Sequence, residues 1–337
     1  MEHRPHRRSW SRTFLLTTVV VLSVLCVAAG AYRSLVRAPA LQTGESSAEP
    51  AASAAAAVSS AAASAEPEPA DVRKPDFYTV LLYGVDDGNG GSDTNILVGF
   101  DDAGKAIHCV SIPRDTLVNV KRKVKKINAA YNLGGTEQLA AEISDTLGVP
   151  VDFTVQVNLK GFVELVDAIG GVDFEIPINM NYDDPVQGLS IHFKKGLRHL
   201  DGADAIKVVR FRHNNDGSGY GTEDIGRIGT QQAFLKAVAK QTLTLSNVDK
   251  ISSFAKIFQK YVETDLTAGN LAWLGKEAIS IGTDNISFAT LPGDGAGYYK
   301  GVSYYTLDSD ATLQLVNTAL NPYAEDRTMS DLDILSP

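Results

Sequence analysis

Cysteine is nearly absent, with two in 337 residues. Cys26 lies in an uncharged run and Cys109 in an apolar stretch that reads as a buried strand, so no disulfide can form inside one folded domain. Stability must come from a hydrophobic core, and the 44% hydrophobic content is enough for one large domain. A basic surplus is missing too. The net charge is −9, and the first 37 residues, with six Arg against one Glu, contribute +5, so the other 300 carry −14. That balance argues against a nucleic-acid partner. The chain also lacks a Ser-His-Asp triad, a zinc-ligand spacing and a phosphate-binding P-loop, and its six His are scattered. No internal repeat is present.

What is present begins with a run from Thr13 to Tyr32, twenty residues without a charge and rich in Val and Leu. That is about the length a helix needs to cross a bilayer. A cleaved signal usually has a shorter apolar region of about 7 to 15 residues, although Ala38-Pro39-Ala40 offers a cleavage site. Cys26 follows Leu25 rather than a small residue, so no lipoprotein box is formed. The run is expected to be an uncleaved anchor at the cell membrane. Arg4, Arg7, Arg8 and Arg12 precede it and only Arg33 and Arg37 closely follow, which puts the amino terminus inside, residues 1–12 as a cytoplasmic tail, and everything after the span outside. Residues 38–75 are almost entirely Ala, Ser, Glu and Pro, without an aromatic side chain, and read as an extended tether. A helical stalk is the alternative for its middle, though Glu66-Pro67-Glu68-Pro69 interrupts it. The folded domain is expected over 76–325, with 326–337 as a tail.

Within the domain, Phe77 to Tyr83, Asn95 to Phe100 and Ala106 to Ile112 read as three strands, the last two separated by the turn Asp101-Asp102-Ala103-Gly104. Thr136 caps a helix with apolar positions Leu139, Ile143 and Leu147, ended by Gly148 and Pro150. Phe153 to Val157 is a strand, Phe162 to Ile169 a helix stopped by Gly170-Gly171, and Val172 to Ile176 a strand again. Asp201 caps the segment leading to Arg210, and a long helical pattern covers Glu223 to about Leu245. Helices near Val248 to Tyr261 and Asn270 to Ile281 and a strand near Ile286 to Leu291 follow. The predicted fold class is α/β, a mixed central sheet covered by helices on both faces.

Chemistry concentrates at a few places. Asp86 and Asp93 flank a Gly-rich loop between two apolar strands, so their carboxylates can converge at one sheet edge. Hard oxygen ligands on such a loop suit Mg²⁺, and a solvated acidic turn is the plain alternative. The glycine spacing is not that of a dinucleotide fingerprint, and no helix follows. Arg114 ends the third strand beside Asp115, where a surface ion pair is the competing explanation. Arg210 and Arg212 alternate, so on an extended strand both would face one side, a repulsive arrangement unless an anion lies between them. Arg227 stands near a helix start, where a cation is mildly disfavoured unless a negative ligand is present. Asp224 reads either as a helix-start cap or as a group that orients Arg227 or activates an acceptor. Lys121 to Lys126 holds five basic residues in six positions. It is a solvated loop or a contact for anionic headgroups or an anionic polymer. Carboxylates and clustered arginines together are what a metal and a polyphosphate require.

Eight segments, Tyr83-Gly84-Val85-Asp86, Ser92-Asp93-Thr94, Ser111-Ile112-Pro113-Arg114-Asp115, Lys126-Ile127-Asn128-Ala129-Ala130-Tyr131, Gly161-Phe162-Val163-Glu164-Leu165-Val166-Asp167, His199-Leu200-Asp201-Gly202, Val209-Arg210-Phe211-Arg212-His213 and Asp224-Ile225-Gly226-Arg227, resemble the LytR-CpsA-Psr family in order and spacing. The resemblance runs from about Phe77 to Val238 and more weakly through Leu291-Pro292-Gly293. It implies a membrane-anchored phosphotransferase that moves a glycopolymer such as teichoic acid or capsule from a polyprenyl-pyrophosphate carrier to the muramic acid 6-hydroxyl of peptidoglycan. It also implies Mg²⁺ at Asp86 and Asp93, pyrophosphate at Arg114, Arg210, Arg212 and Arg227, and the prenyl tail in an apolar pocket between sheet and helices. Arg114, Asp224 and Arg227 are the expected catalytic residues. The apolar positions of 162–169 and 234–238 suit either a pocket lining or core.

This chain departs from the family pattern at Gly88 and Gly91, where arginines are common, at Thr230, another frequent Arg position, and in a longer Gly-rich segment between His213 and Asp224. Two other functions use the same residues: a hydrolase that hands the pyrophosphate to water, and a non-catalytic binder of lipid or wall polymer.

Overall fold

The computed structural model describes residues 36–41, 72–85, 91–186, 188–221, 223–242 and 260–335. The expected membrane span Thr13–Tyr32, most of the tether, Asp86 and all but the last two residues of the helix expected near 248–261 lie outside the described residues. Among the described residues no helix is long and apolar enough to cross a membrane.

The three predicted strands are β1 (Phe77–Val85), β2 (Ser92–Asp101) and β3 (Ala106–Ile112). They join β4 (Phe153–Asn158), a short β9 (Val262–Thr264) and β10 (Ile286–Thr290) in one sheet of order β10-β3-β2-β1-β4-β9. The β1–β2–β3 run is antiparallel, whereas β4 lies parallel to β1 and β10 parallel to β3. The sheet is therefore mixed, and the carboxyl ends of β1, β3, β4 and β10 share an edge. β1 is buried on both faces because its apolar run is nearly unbroken, as a central strand requires.

Alternation along the strands splits the core in two. Leu81, Tyr83, Leu97, Val110 and Ile112 pack against Leu139, Ile143 and Leu147 of α1 (Ala129–Leu147), and against the α6 (Ser309–Leu315) side through Val316 and Leu320. On the other face, Tyr78, Val80, Phe100, Ile107 and Val155 meet Trp273, Leu274 and Ile281 of α5 (Ala268–Ile281). The helix predicted to start at Thr136 is preceded by one more helical turn, and Gly134–Gly135 break the helix between the two parts. A separate core lies between α2 (Leu159–Ala168), α3 (Gly202–Arg210), α4 (Glu223–Thr242) and two hairpin-like pairs. These pairs are β5 (Val172–Ile176) with β8 (Gly196–Leu200), and β6 (Met180–Asp184) with β7 (Leu189–Phe193). Short exposed strands with little period-2 contrast gave no sequence signal for β6 to β8.

Both ends of the expected tether are seated on the domain. Ala38 and Leu41 join the α5 cluster, and Asn270 Nδ2 donates to the Arg37 carbonyl at 3.1 Å. Arg73 clasps Asp152 through two hydrogen bonds of 2.7 and 2.9 Å, and the same carboxylate accepts from the Thr79 N–H and hydroxyl, both at 2.9 Å. Residues expected as a C-terminal tail also dock: Leu332 is buried and the Asp333 N–H donates to the Asp145 carbonyl at 3.1 Å.

Asp152, with its side chain only 8% exposed, thus ties the domain entrance to β1 and to the α1–β4 connection. Asp152→Ala removes the carboxylate that Arg73 and the Thr79 N–H share, and we expect a loss of about 2 kcal/mol or more in urea unfolding, since it leaves a part-buried guanidinium without its counterion and a strand N–H without its carboxylate acceptor. A change below about 0.5 kcal/mol would show that water replaces the carboxylate.

Candidate active site

The register between β2 and β3 sets Asn95 opposite Ile112, so two residues further along Asp93 falls opposite Arg114. On the other side of β2 the pairing with β1 slips: Gly84 opposes Thr94 and Val85 opposes Ser92, which leaves Asp93 as the extra residue of a β-bulge. A bulge turns a side chain out of the regular alternation and recurs beside active sites. Asp93 forms an ion pair with Arg114 Nη1. Arg114 Nε lies 3.5 Å from Asp115 Oδ1, and Asp115 Oδ2 accepts from Lys126 Nζ at 2.8 Å. Four charges therefore alternate in sign along one edge, which holds the Arg114 guanidinium in place without a long-range field.

A cleft of about 430 Å³ opens over this edge. Its lining includes Asp93, Asn95, Arg114 and Asp115 from the strand ends, Arg227 and Gln231 from α4, and Asp294, Ser303 and Tyr304 from a hairpin that sequence reasoning missed. That hairpin pairs β11 (Gly293–Tyr299) with β12 (Val302–Leu307), and its only warning in the sequence was the turn Leu291-Pro292-Gly293. It is fastened to the site by backbone bonds from Tyr305 N–H to the Asp115 carbonyl and from Leu117 N–H to the Tyr305 carbonyl, both 2.9 Å. Burial raises the Tyr305 phenol above its usual range and the Asp294 carboxylate adds to the shift, so the phenol stays protonated and donates to the Leu291 carbonyl at 2.7 Å.

Arg227 and Gln231 are four residues apart and share a helix face. Gln232, the next residue, clamps α4 to the sheet: its Nε2 lies 3.0 Å from Ser111 Oγ, 2.7 Å from the Ala289 carbonyl and 2.9 Å from Thr290 Oγ1. Arg227 is 6% exposed and forms the deep wall of the cleft. The Asp224 backbone lies in the first turn of α4, and its side chain lies outside the described residues.

Arg210 and Arg212 do not stand on one strand as expected. Asp201 caps α3 as predicted, accepting from the Asp204 N–H at 2.8 Å, but that helix runs through Arg210. Phe211, fully buried, then turns the chain into extended geometry, so the two arginines leave a helix end rather than alternate along a ladder. Neither lines the cleft around Arg114 and Arg227. The local pattern Val-Arg-Phe-Arg-His resembles a strand; the burial of Phe211 in the second core overrides it.

The longer segment after His213 is laid along β6. Asn214 Oδ1 accepts from the Asn181 N–H at 2.6 Å, while Asn215 takes the Asp183 N–H at 2.7 Å and donates to its carbonyl at 3.0 Å. At its end Tyr220 lies over Gly226, edge-on to Phe211 at 5.6 Å, with its hydroxyl 2.9 Å from Thr230 Oγ1. Thr230, where the family resemblance leads one to expect Arg, thus serves this inserted tyrosine. Gly91 holds φ +143°, a backbone that side chains rarely adopt, so this fold leaves no place for an arginine there.

Other expectations resolve differently. Of the basic run, Arg122 pairs with the buried Glu142 and donates to two carbonyls, Lys125 reaches the Val120 carbonyl and Lys126 holds Asp115. Of its basic residues only Lys121 and Lys123 stay exposed, so the run is chiefly a clamp. Phe234 is fully buried against Phe162 and Phe174, which makes it core; Phe162, Ala237 and Val238 are half-buried. For a cation, Asp93 and the buried Asn95 Oδ1, which has no hydrogen-bond partner, are hard oxygen donors at the head of β2. That donor set fits Mg²⁺. Asp86, directly after β1, lies outside the described residues, and among those described no cluster of three acidic, His or Cys side chains forms.

A Cβ at position 226 would overlap Tyr220. Gly226→Ala should therefore destabilise the domain by about 1–3 kcal/mol, against the ~1 kcal/mol that Ala contributes in a helix. In a Tyr220→Gly background, which also removes the Cβ that the added methyl meets, the same change should be neutral or stabilising. Equal losses in both backgrounds, read by urea unfolding, would remove Tyr220 as the cause.

Comparison with known proteins places the fold. The LytR_cpsA_psr family model matches residues 44–321. A polyisoprenyl-teichoic acid–peptidoglycan teichoic acid transferase, TagU of Bacillus cereus, is 30% identical over 302 residues, covering 88% of this chain and 93% of that protein. TagV of Bacillus subtilis, which carries the same activity in its name, is 31% identical over 272 residues, 77% of this chain and 67% of its own. The crystal structure of Bacillus subtilis TagV superposes with a TM-score of 0.62 at 27% identity, covering 73% of this chain and 96% of that one. A structure of TagT bound to LIIa-WTA does so with a TM-score of 0.56 at 25% identity, covering 72% and 88%. With its family model spanning most of the chain, this protein belongs to the LytR_cpsA_psr family.

Proposed function

We propose that the domain is a Mg²⁺-dependent phosphotransferase that moves a glycopolymer from a polyprenyl-pyrophosphate carrier to a peptidoglycan hydroxyl. The observation that carries this reading is the meeting of Arg114 and Arg227 in one cleft whose rim holds Asp93, at the carboxyl ends of parallel strands. Phosphoryl transfer needs positioning and neutralisation of phosphate charge more than covalent help, and two guanidiniums from different elements supply both. The names of the TagU and TagV relatives support teichoic acid or a related wall polymer as cargo and peptidoglycan as acceptor.

In this reading Arg227, held by the Gln232 clamp, receives the buried side of the pyrophosphate, and Arg114 the side nearer solvent. Asp93, with Asp86 following β1, would hold Mg²⁺, which when bound neutralises charge on the phosphate oxygens. Arg210 and Arg212, outside the cleft, serve the carrier's approach. The half-buried apolar face of Phe162, Ala237 and Val238 is the place for the start of the prenyl tail, and the uncharged run Thr13–Tyr32 anchors the protein at the cell membrane with this domain outside.

The test uses the full chain in detergent with a polyprenyl-pyrophosphate glycan, peptidoglycan oligomers and Mg²⁺, and identifies products by mass. Glycan joined to peptidoglycan through a phosphodiester is expected. Arg114→Ala and Arg227→Ala should each lower its rate by about 10²–10³-fold, and a chelator should abolish it, with Mg²⁺ restoring it. Free glycan phosphate as the main product would replace this reading by a hydrolase. Carrier binding without turnover would replace it by a binding protein.

A further inference from the structure

We propose that Asp294 takes the proton of the attacking hydroxyl, which makes the β11–β12 hairpin the acceptor side of the cleft. The proposal rests on the phosphotransferase reading above and adds a residue to it. Among the described residues three carboxylates line the cleft: Asp93, Asp115 and Asp294. Asp93 is paired with Arg114, and Asp115 with Lys126 and Arg114. A carboxylate already neutralised by a cation is a poor proton acceptor, since gaining a proton forfeits the ion pair. Asp294 makes no ion pair with any described residue; its Oδ1 accepts one hydrogen bond, from the Ala296 N–H at 2.8 Å, which fixes the carboxylate and leaves Oδ2 for a ligand.

The hairpin is shaped to present it. Asp294 opposes Thr306 and Gly297 opposes Tyr304, so a bulge of one extra residue falls directly after Asp294, the same device that displays Asp93. Asp115, Tyr305 and Asp294 stand on three adjacent chain segments, Asp115 bonded to Tyr305 and Asp294 to the residue after it. At about 4.8 Å per step the Asp294 backbone is about 10 Å from that of Asp115.

Exposure also runs the right way across the cleft. Arg227 is 6% exposed and Asp294 is exposed, so a small, carrier-linked pyrophosphate is held deep while a bulky polymeric acceptor arrives from solvent at Asp294. In the step itself, the acceptor oxygen bonds to the phosphorus bearing the glycan as the bond from that phosphorus to the bridging oxygen breaks. The electron pair of that bond leaves with prenyl phosphate, and the hydroxyl proton passes to Asp294 Oδ2.

The test compares wild type, Asp294→Asn and Asp294→Glu in full-length form, measuring kcat, equilibrium carrier binding and the pH dependence of kcat. Asp294→Asn should lower kcat by about 10²-fold with carrier Kd within about threefold of wild type. Asp294→Glu should recover part of the rate, and the acid limb of the wild-type pH profile should disappear in the Asn variant. A kcat for Asp294→Asn within about threefold of wild type, or a parallel loss of carrier binding, overturns the assignment while the transferase reading stands. If wild type forms no linked product, both fall.

Discussion

The pairing register of β2 is the constraint on which the site depends. One residue of slip against β1 frees Asp93 from the ladder, and the unslipped pairing with β3 puts the same residue opposite Arg114. Moving either register by one residue would send Leu97 and Ile96 to the wrong faces, so the two hydrophobic layers that bury them enforce the position of the carboxylate. An edge charge is thereby located by core packing.

The same economy of placement keeps cations together in an acidic domain. Arg114 is stabilised by carboxylates on both sides, Lys126 by Asp115, and α4 is docked by an uncharged amide, Gln232, rather than by another charge. The net −14 of the last 300 residues does not oppose an anionic ligand strongly, because surface charge is screened within about 10 Å at ordinary ionic strength while the cleft cations act at contact. The inserted segment around Tyr220 contributes in a different way. Its asparagines borrow the open edge of β6, and its tyrosine covers the start of α4 beside Arg227.

Much of this was legible beforehand because it is periodic or capped locally. The strand Ala106–Ile112, the strand Val172–Ile176 and the Asp201 cap follow from alternation and from capping chemistry that needs only neighbours in sequence. Arg210 and Arg212 were misplaced because Val-Arg-Phe-Arg-His fits a strand equally well, and only the second core, which swallows Phe211, chooses the helix end. The basic run 121–126 gave no hint that Arg122 is the counterion of Glu142, twenty positions away. Asp294 carried no motif; its relevance arises from a hairpin bonded to Asp115.

By itself the sequence determined the class of element at each periodic segment, the absence of disulfide support, the acidic balance of the domain and the family motifs that bring arginine and aspartate into one chain. These are properties of composition and of spacing over a few residues, and they survive without knowledge of partners. Only the tertiary structure decided which charges meet: that Asp93 sits in a bulge beside Arg114, that Arg227 joins them while Arg210 and Arg212 do not, and that Asp294 completes the rim. The physical reason is that these meetings are made by strand register and helix docking between segments far apart in the chain, and those are set by burial of apolar faces that no local pattern encodes.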